Sequence, residues 1–179
     1  MHTEDQLNDF IEIINLEAIQ QLPKATEHFV SDLHGEYEAF DHILRNGSGS
    51  IREKVETLFQ YSLTAAEKTE LCFLIYYPKE VLQEKDYPHE DWIQLMTQLV
   101  KVARFTSSKY TRSKVRKALP KQFAYILEEL LYQYDSDFNK EAYYKAIFDK
   151  IIDLSLAPLF CEQLSLIHIS EPTRLDVIS

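Results

Sequence analysis

Glycine is scarce in this chain and is confined to one short segment. Only three of the 179 residues are glycine, and they stand at Gly35, Gly47 and Gly49. Because glycine takes a positive φ angle without steric cost, residues 27–49 form the one segment suited to unusual backbone geometry. Elsewhere, a chain so poor in glycine is predicted to consist of helices joined by short turns.

The composition is that of a single globular domain. Hydrophobic residues make up 45% and charged residues 27% of the chain, which is ordinary for a soluble protein with a sizeable core. The net charge of −10 argues against a nucleic-acid partner. Two cysteines make no disulfide framework, and the acidic amino terminus lacks an apolar signal sequence. No apolar run approaches the roughly 20 residues of a membrane span, so we expect a cytoplasmic protein without membrane association.

Apolar periodicity predicts helices along most of the chain. They cover about residues 5–21, 36–45, 51–60 and 64–76, a short piece from about 79, a helix from about 89, and two strong stripes near 123–134 and 144–152. The stripes are predicted to be packed core rather than a cofactor site, because amphipathic helices bury one face. A short strand is predicted at Glu27–Ser31, where Phe29 and Val30 favour extended structure.

One segment, residues 101–121, is strongly basic. It contains no acidic residue and eight basic ones, Lys101, Arg104, Lys109, Arg112, Lys114, Arg116, Lys117 and Lys121. With serine and threonine hydroxyls between them, these cations have the groups to bind a phosphate-bearing ligand or an acidic partner. The alternative, which we favour, is a solvated helix face that balances the acidic remainder of the chain.

A carboxylate and an imidazole, Asp32 and His34, lie two residues apart just beyond the predicted strand. Side chains at i and i+2 of an extended chain point to the same side, so the pair can converge on one divalent cation. Gly35 then permits a sharp turn into the next helix. A turn without any metal is the alternative, because Asp and Gly are common turn formers.

The longer string around this pair resembles a known family. Residues 27–37, then Phe40 and the run Ile43–Gly49, are similar to the first block of the class III fructose-1,6-bisphosphatases. Further blocks with the same resemblance are Leu74–Pro78, Ser107–Lys114, Arg116–Ile126 and Glu128–Tyr132. These are bacterial enzymes of the calcineurin-like metallophosphoesterase superfamily. The resemblance covers roughly residues 8–160.

This resemblance implies a fold. A complete member would have an α/β/β/α sandwich, of which residues 1–50 supply an amino-terminal helix, one strand and the first metal-binding block. Residues 51–163 would be an all-helical insertion. We therefore expect a mostly α fragment with one or few short β-strands, in which Glu27–Ser31 has few or no sheet partners.

The resemblance also implies a function, namely manganese-dependent hydrolysis of fructose 1,6-bisphosphate to fructose 6-phosphate and phosphate in gluconeogenesis. Asp32 and His34 match the first metal-ligand block of the superfamily. The second block, Gly-Asp-x-x-Asp-Arg-Gly, and the third, Gly-Asn-His-Asp/Glu, have no counterpart here. The binuclear Mn²⁺ site is therefore incomplete, no catalytic or sugar-binding residue is assigned, and we expect this truncated chain to be inactive.

Other readings stay open at this point. A phosphatase for another phosphoester belongs to the same superfamily, and a homo-oligomer is compatible with the sequence. A protein of another class, a non-catalytic helical module, would use residues 101–121 to bind an anion or a partner.

The carboxyl-terminal residues 164–179 form a segment of separate origin in our interpretation. Residues 164–174 do not continue the periodicity of the preceding helix, and they resemble the translation of a transposon-end sequencing adapter. We expect the native reading frame to be lost after about Gln163, which removes His168 from any set of metal ligands.

The remaining polar candidates have simpler interpretations. Asp86, His89, Glu90 and Asp91 include metal-ligand types, but the neighbouring Pro88 favours an exposed loop. His28 and His42 are predicted to be ordinary hydrogen-bonded residues. Cys72, on an apolar helix, is predicted to be a small buried hydrophobe.

Overall fold

The computed structural model describes residues 3–23, 28–30, 34–46, 50–84, 87–132, 140–169 and 175–177. These residues form ten helices and two short strands. In chain order they are α1 (Glu4–Gln20), β1 (His28–Val30), α2 (Tyr37–Asn46), α3 (Ser50–Leu58), α4 (Ala65–Tyr76), α5 (Pro78–Glu84), α6 (His89–Ser107), α7 (Arg112–Ala118), α8 (Ala124–Leu131), α9 (Glu141–Asp153), α10 (Ala157–Ile169) and β2 (Leu175–Val177). None of the described helices is long and apolar enough to cross a bilayer.

Threonine caps start three of these helices. The hydroxyls of Thr3, Thr64 and Thr111 accept hydrogen bonds from backbone amides three residues further on. At α4 the arrangement is reciprocal, because the Glu67 carboxylate also accepts from the Thr64 backbone amide at 2.7 Å. Such capping boxes satisfy amide groups that a helix start otherwise leaves without partners.

The core is built around α6. Its fully buried residues Met96, Leu99 and Val102 face inward, and the helix packs against α3, α8, α9 and α10. Phe160 of α10 is fully buried, and its ring meets those of Phe123 and Phe148 edge-on at centroid distances of 5.4 and 6.4 Å. The buried apolar residues of α3, α4 and α6–α10 belong to one cluster.

Outside this core, the amino-terminal helix is solvent-exposed. α1 contains no buried residue, although it carries large apolar side chains. The two strands pair with each other in parallel, with His28 opposite Leu175 and Val30 opposite Val177.

The predicted fold class, a strand–helix unit of an α/β/β/α sandwich with a helical insertion, is wrong for this structure. The described residues are essentially all helical, and their only sheet consists of two strands of three residues each. A pair of such strands offers no sheet face broad enough for helices to cover on both sides. Within the predicted strand Glu27–Ser31, residues His28–Val30 form β1, while Glu27 and Ser31 lie outside the described residues.

The boundary placed after Gln163 does not coincide with a structural boundary. α10 continues to Ile169, and it buries Leu164, Ser165 and Ile167 in the core. Together with Phe160, the two apolar residues stand at i, i+4 and i+7, which is helical periodicity. The statement that residues after 163 do not continue the preceding helix is therefore wrong up to Ile169.

Candidate metal-binding turn and basic surface

The segment that leads from β1 to α2 contains a tight turn with unusual backbone angles. His34 and Gly35 have φ values of 41° and 78°. The Tyr37 amide donates to the Gly35 carbonyl oxygen at 2.9 Å, and α2 starts there. The prediction that Gly35 permits a sharp turn into a helix is confirmed.

Glycine is favoured at position 35 by its positive φ angle and not by a lack of room for a side chain. A Cβ atom added to Gly35 would meet no atom within 4 Å. A non-glycine residue in the left-handed region nevertheless costs roughly 1–2 kcal/mol. His34 is such a non-glycine residue with positive φ, and histidine is one of the residue types that are enriched among them.

The imidazole of His34 is exposed, whereas Asp32 lies outside the described residues. Among the residues that are described, no group of three or more His, Cys, Asp or Glu side chains could hold a metal ion. One carboxylate and one imidazole form a donor set that suits Mn²⁺. Two such ligands provide only part of the coordination that a bound ion requires.

Two arginines of the basic segment have structural roles. Arg104 donates from Nε to the Leu130 carbonyl oxygen at 2.6 Å. Arg112 pairs through Nε with the Glu128 carboxylate at 3.1 Å, and its guanidinium lies 4.9 Å from the centroid of the Tyr132 ring. These contacts tie α6 and α7 to α8, which the spacing of the charges did not reveal.

The remaining cations of the same segment lie at its surface, five of them exposed and Lys109 half-buried. The ammonium groups of Lys109 and Lys114 lie 5.6 and 4.9 Å from the centroid of the Tyr110 ring. Lys101, Arg116, Lys117 and Lys121 are exposed. We call Lys101, Lys109, Lys114, Arg116, Lys117 and Lys121 the basic surface.

The candidates near Pro88 form the first turn of a helix rather than a loop. His89 begins α6, and its Nε2 lies 3.5 Å from Asp149 Oδ1, which Lys145 also contacts at 3.1 Å. Glu90 and Asp91 follow in the first turn, where carboxylates interact favourably with the helix dipole. His89, Glu90 and Asp91 are exposed as expected, but they stand on the helix predicted from about residue 89 and not on a loop. Asp86 and the side chains of His28 and His42 lie outside the described residues.

Both cysteines are buried. Cys72 is 7% exposed, as predicted for a small core residue, and Cys161 is fully buried. Burial raises the pKa of both thiols. Thiols held in the neutral form in this way are poor nucleophiles.

A cleft of about 400 Å³ lies between α4, α5 and α6. Its floor includes Leu71 and Leu74, and its rim carries the carboxylates of Glu67, Glu70 and Asp91. A smaller cavity of about 200 Å³ between α3 and α4 is lined by Arg52, Lys68, Cys72 and Tyr76, among others. The acidic rim makes the larger cleft unsuited to a phosphate ester.

The sequence as a whole matches a known family. The model of the Firmicute fructose-1,6-bisphosphatase family matches residues 3–171, which is nearly the entire chain. The chain therefore belongs to this family.

Three curated relatives illustrate the extent of the match. The class 3 fructose-1,6-bisphosphatase of Enterococcus faecalis is 59% identical over 158 residues, covering 86% of this chain and 25% of the relative. The corresponding proteins of Oceanobacillus iheyensis and Porphyromonas gingivalis are 52% and 50% identical, covering 82% and 93% of this chain but 24% and 25% of their own lengths. The chain thus spans about a quarter of the length of these relatives. No solved structure matches it.

Proposed function

We propose that the full-length protein to which this sequence corresponds hydrolyses fructose 1,6-bisphosphate to fructose 6-phosphate and phosphate. The observation that carries the proposal is the family match over residues 3–171, together with relatives at 50–59% identity that are named for this activity. We assign the reaction to gluconeogenesis in the cytoplasm, on the basis of the same family.

Asp32 and His34 are the residues of this chain that we propose as Mn²⁺ ligands. When bound, a pair of such ions would supply an activated water and charge stabilisation for phosphoryl transfer. The part played by this chain is to hold one carboxylate oxygen and one imidazole nitrogen after β1. The turn at His34 and Gly35 supports this role, because it sets the backbone direction immediately before α2.

This chain alone is proposed to be inactive. The sequence has no counterpart of the superfamily's second and third metal-binding blocks, and two ligands cannot hold two ions. Purified chain assayed with fructose 1,6-bisphosphate and Mn²⁺ is expected to show no turnover above buffer. Turnover near that of the intact Enterococcus faecalis relative would refute this.

The activity itself is tested in a chimera. Residues 1–163 of this chain are joined to the part of the Enterococcus faecalis relative that follows its matched segment, and release of phosphate is measured with Mn²⁺. We expect activity, and we expect Asp32→Asn to lower kcat by more than about 100-fold, because metal ions contribute several kcal/mol of charge stabilisation. Glu38→Gln, which removes one exposed carboxylate from the first turn of α2, is the matched control. Equal activity of the two variants would exclude Asp32 as a ligand.

A second candidate is a non-catalytic helical module that binds anions. It is favoured by the basic surface, where exposed lysines cluster without an acidic residue in the segment 101–121. Calorimetric titration of the chain with fructose 1,6-bisphosphate, without Mn²⁺, tests it. The module would be supported if Lys114→Glu and Lys117→Glu abolished this binding. Lys150→Glu on α9 is the control and should leave the binding intact.

A further inference from the structure

The amino-terminal helix α1 presents an apolar surface that the rest of the described structure does not bury. Its 17 residues, about 25 Å of helix, include no buried one. Seven large apolar side chains are exposed: Leu7, Phe10, Ile11, Ile13, Ile14, Leu16 and Ile19. Ile11 and Ile14, near its middle, are 56% and 66% exposed.

Such a helix needs a covering surface. Most helical stability in proteins comes from packing an apolar face rather than from intrinsic propensity. Contiguous apolar patches of this kind mark interaction sites. Leu7, Phe10, Ile11 and Ile14 form the central stripe, at i, i+3, i+4 and i+7.

The charge of α1 restricts what can cover this stripe. The helix carries five carboxylates, on Glu4, Asp5, Asp9, Glu12 and Glu17, and no basic residue. An anionic lipid surface and the same helix of a second copy are therefore repelled. The covering surface must be apolar at its centre and neutral or cationic at its rim.

The position of α1 restricts the location of the covering surface. Seven residues, 21–27, separate α1 from β1, and they can span at most about 24 Å. The carboxyl end of α1 therefore lies within about 24 Å of the strand that precedes the metal-binding turn, and the covering surface must run from there along the roughly 25 Å of the helix. In the relatives, about three quarters of the length has no counterpart in this chain.

We propose that the apolar stripe of α1 docks against the part of the full-length protein that this chain lacks. Docking orders α1 and thereby braces the strand and turn that carry Asp32 and His34. The proposal depends on family membership and not on the proposed phosphatase activity.

Amide hydrogen exchange on α1 tests the proposal, because it reports burial without any assay of activity. Exchange between Leu7 and Ile19 is compared in the 179-residue chain and in the chimera described above. We expect exchange at least about 10-fold slower in the chimera. If the chimera does not fold, the same comparison is made between the intact Enterococcus faecalis relative and the quarter of it that matches this chain.

Two variants of the chimera make the test specific to the stripe. Ile11→Asp with Ile14→Asp is expected to return exchange on α1 to the rate of the isolated chain. Asn8→Asp adds a charge to the same helix without removing an apolar side chain, and it is expected to preserve protection. Amides of α6 report in every case whether the helical core is folded.

Two outcomes would overturn the proposal. One is equal exchange on α1 in the isolated chain and in the full-length protein. The other is protection of the α1 amides from exchange in the 179-residue chain itself, provided that this protection increases with protein concentration and that sedimentation shows a dimer forming over the same range. The latter result would assign the stripe to a second copy.

Discussion

Arg104 donates a hydrogen bond of 2.6 Å from Nε to the carbonyl oxygen of Leu130, and this bond joins α6 to the last turn of α8. The carbonyl groups of a last helical turn lack partners within their own helix. The same guanidinium lies 5.9 Å from the centroid of the Tyr144 ring on α9. One side chain of the basic segment therefore holds three helices together.

Replacing this arginine should destabilise the fold. Arg104→Ala is expected to lower the free energy of unfolding by about 1.5–3 kcal/mol, the usual range for a hydrogen bond to a charged group. Lys101→Ala, at an exposed position one turn earlier, is the control and should change it by less than about 0.5 kcal/mol. Urea denaturation followed by circular dichroism measures both. Equal effects would show that the contact with Leu130 adds nothing.

The capping box of α4 should make stability depend on pH. Hydrogen bonds from the backbone and hydroxyl of Thr64 lower the pKa of the Glu67 carboxyl below its usual 4.5. A carboxyl with a lowered folded-state pKa stabilises the fold above its unfolded pKa, and this contribution is lost as pH falls through the folded-state value.

Glu67→Gln tests this because the amide cannot ionise. Wild type should unfold at a higher urea concentration than the variant at pH 7, and the difference should shrink as the pH falls below 4.5. Glu70→Gln, one turn further along α4, should not reproduce that pattern. A difference that stayed constant from pH 7 to pH 3 would exclude the ionised cap.

The helices were predictable because their periodicity is local. The stretches predicted at 5–21 and 64–76 correspond to α1 at Glu4–Gln20 and α4 at Ala65–Tyr76. Which helices pack into the core was not predictable in the same way. The apolar spacing of α1 is similar to that of the buried helices, yet α1 contains no buried residue. Which face finds a partner depends on residues distant in sequence, and periodicity carries no information about them.

The candidate site was predictable only where backbone chemistry is local. The turn at Gly35 could be predicted from the sequence, because few residues other than glycine tolerate a φ of 78°. The structural use of Arg104 and Arg112 depends instead on Leu130 and Glu128, which lie 26 and 16 residues away. A count of charges in the segment 101–121 could not distinguish these bonded arginines from the exposed lysines beside them.

Residues beyond Gln163 should contribute to stability as core residues do. Leu164 is fully buried, and Leu164→Ala is expected to cost about 2–5 kcal/mol, the usual range for such a truncation. Leu159→Ala removes the same atoms from a side chain of the same helix that is 40% exposed, so it should cost much less. Thermal unfolding of both variants decides the matter. A similar cost at both positions would mean that α10 does not pack as described.

Sequencing genomic DNA across codon 163 tests the origin of the tail. We predict that the native frame departs from residues 164–179 and soon encodes Gly-Asp-x-x-Asp-Arg-Gly. The native codons 164 and 167 should nevertheless encode apolar residues, because Leu164 and Ile167 fill positions inside the core beside Phe160. A polar residue at either position would leave a cavity or an unpaired group in a close-packed interior. Genomic codons that reproduce the present tail would instead make these residues native and remove the adapter hypothesis.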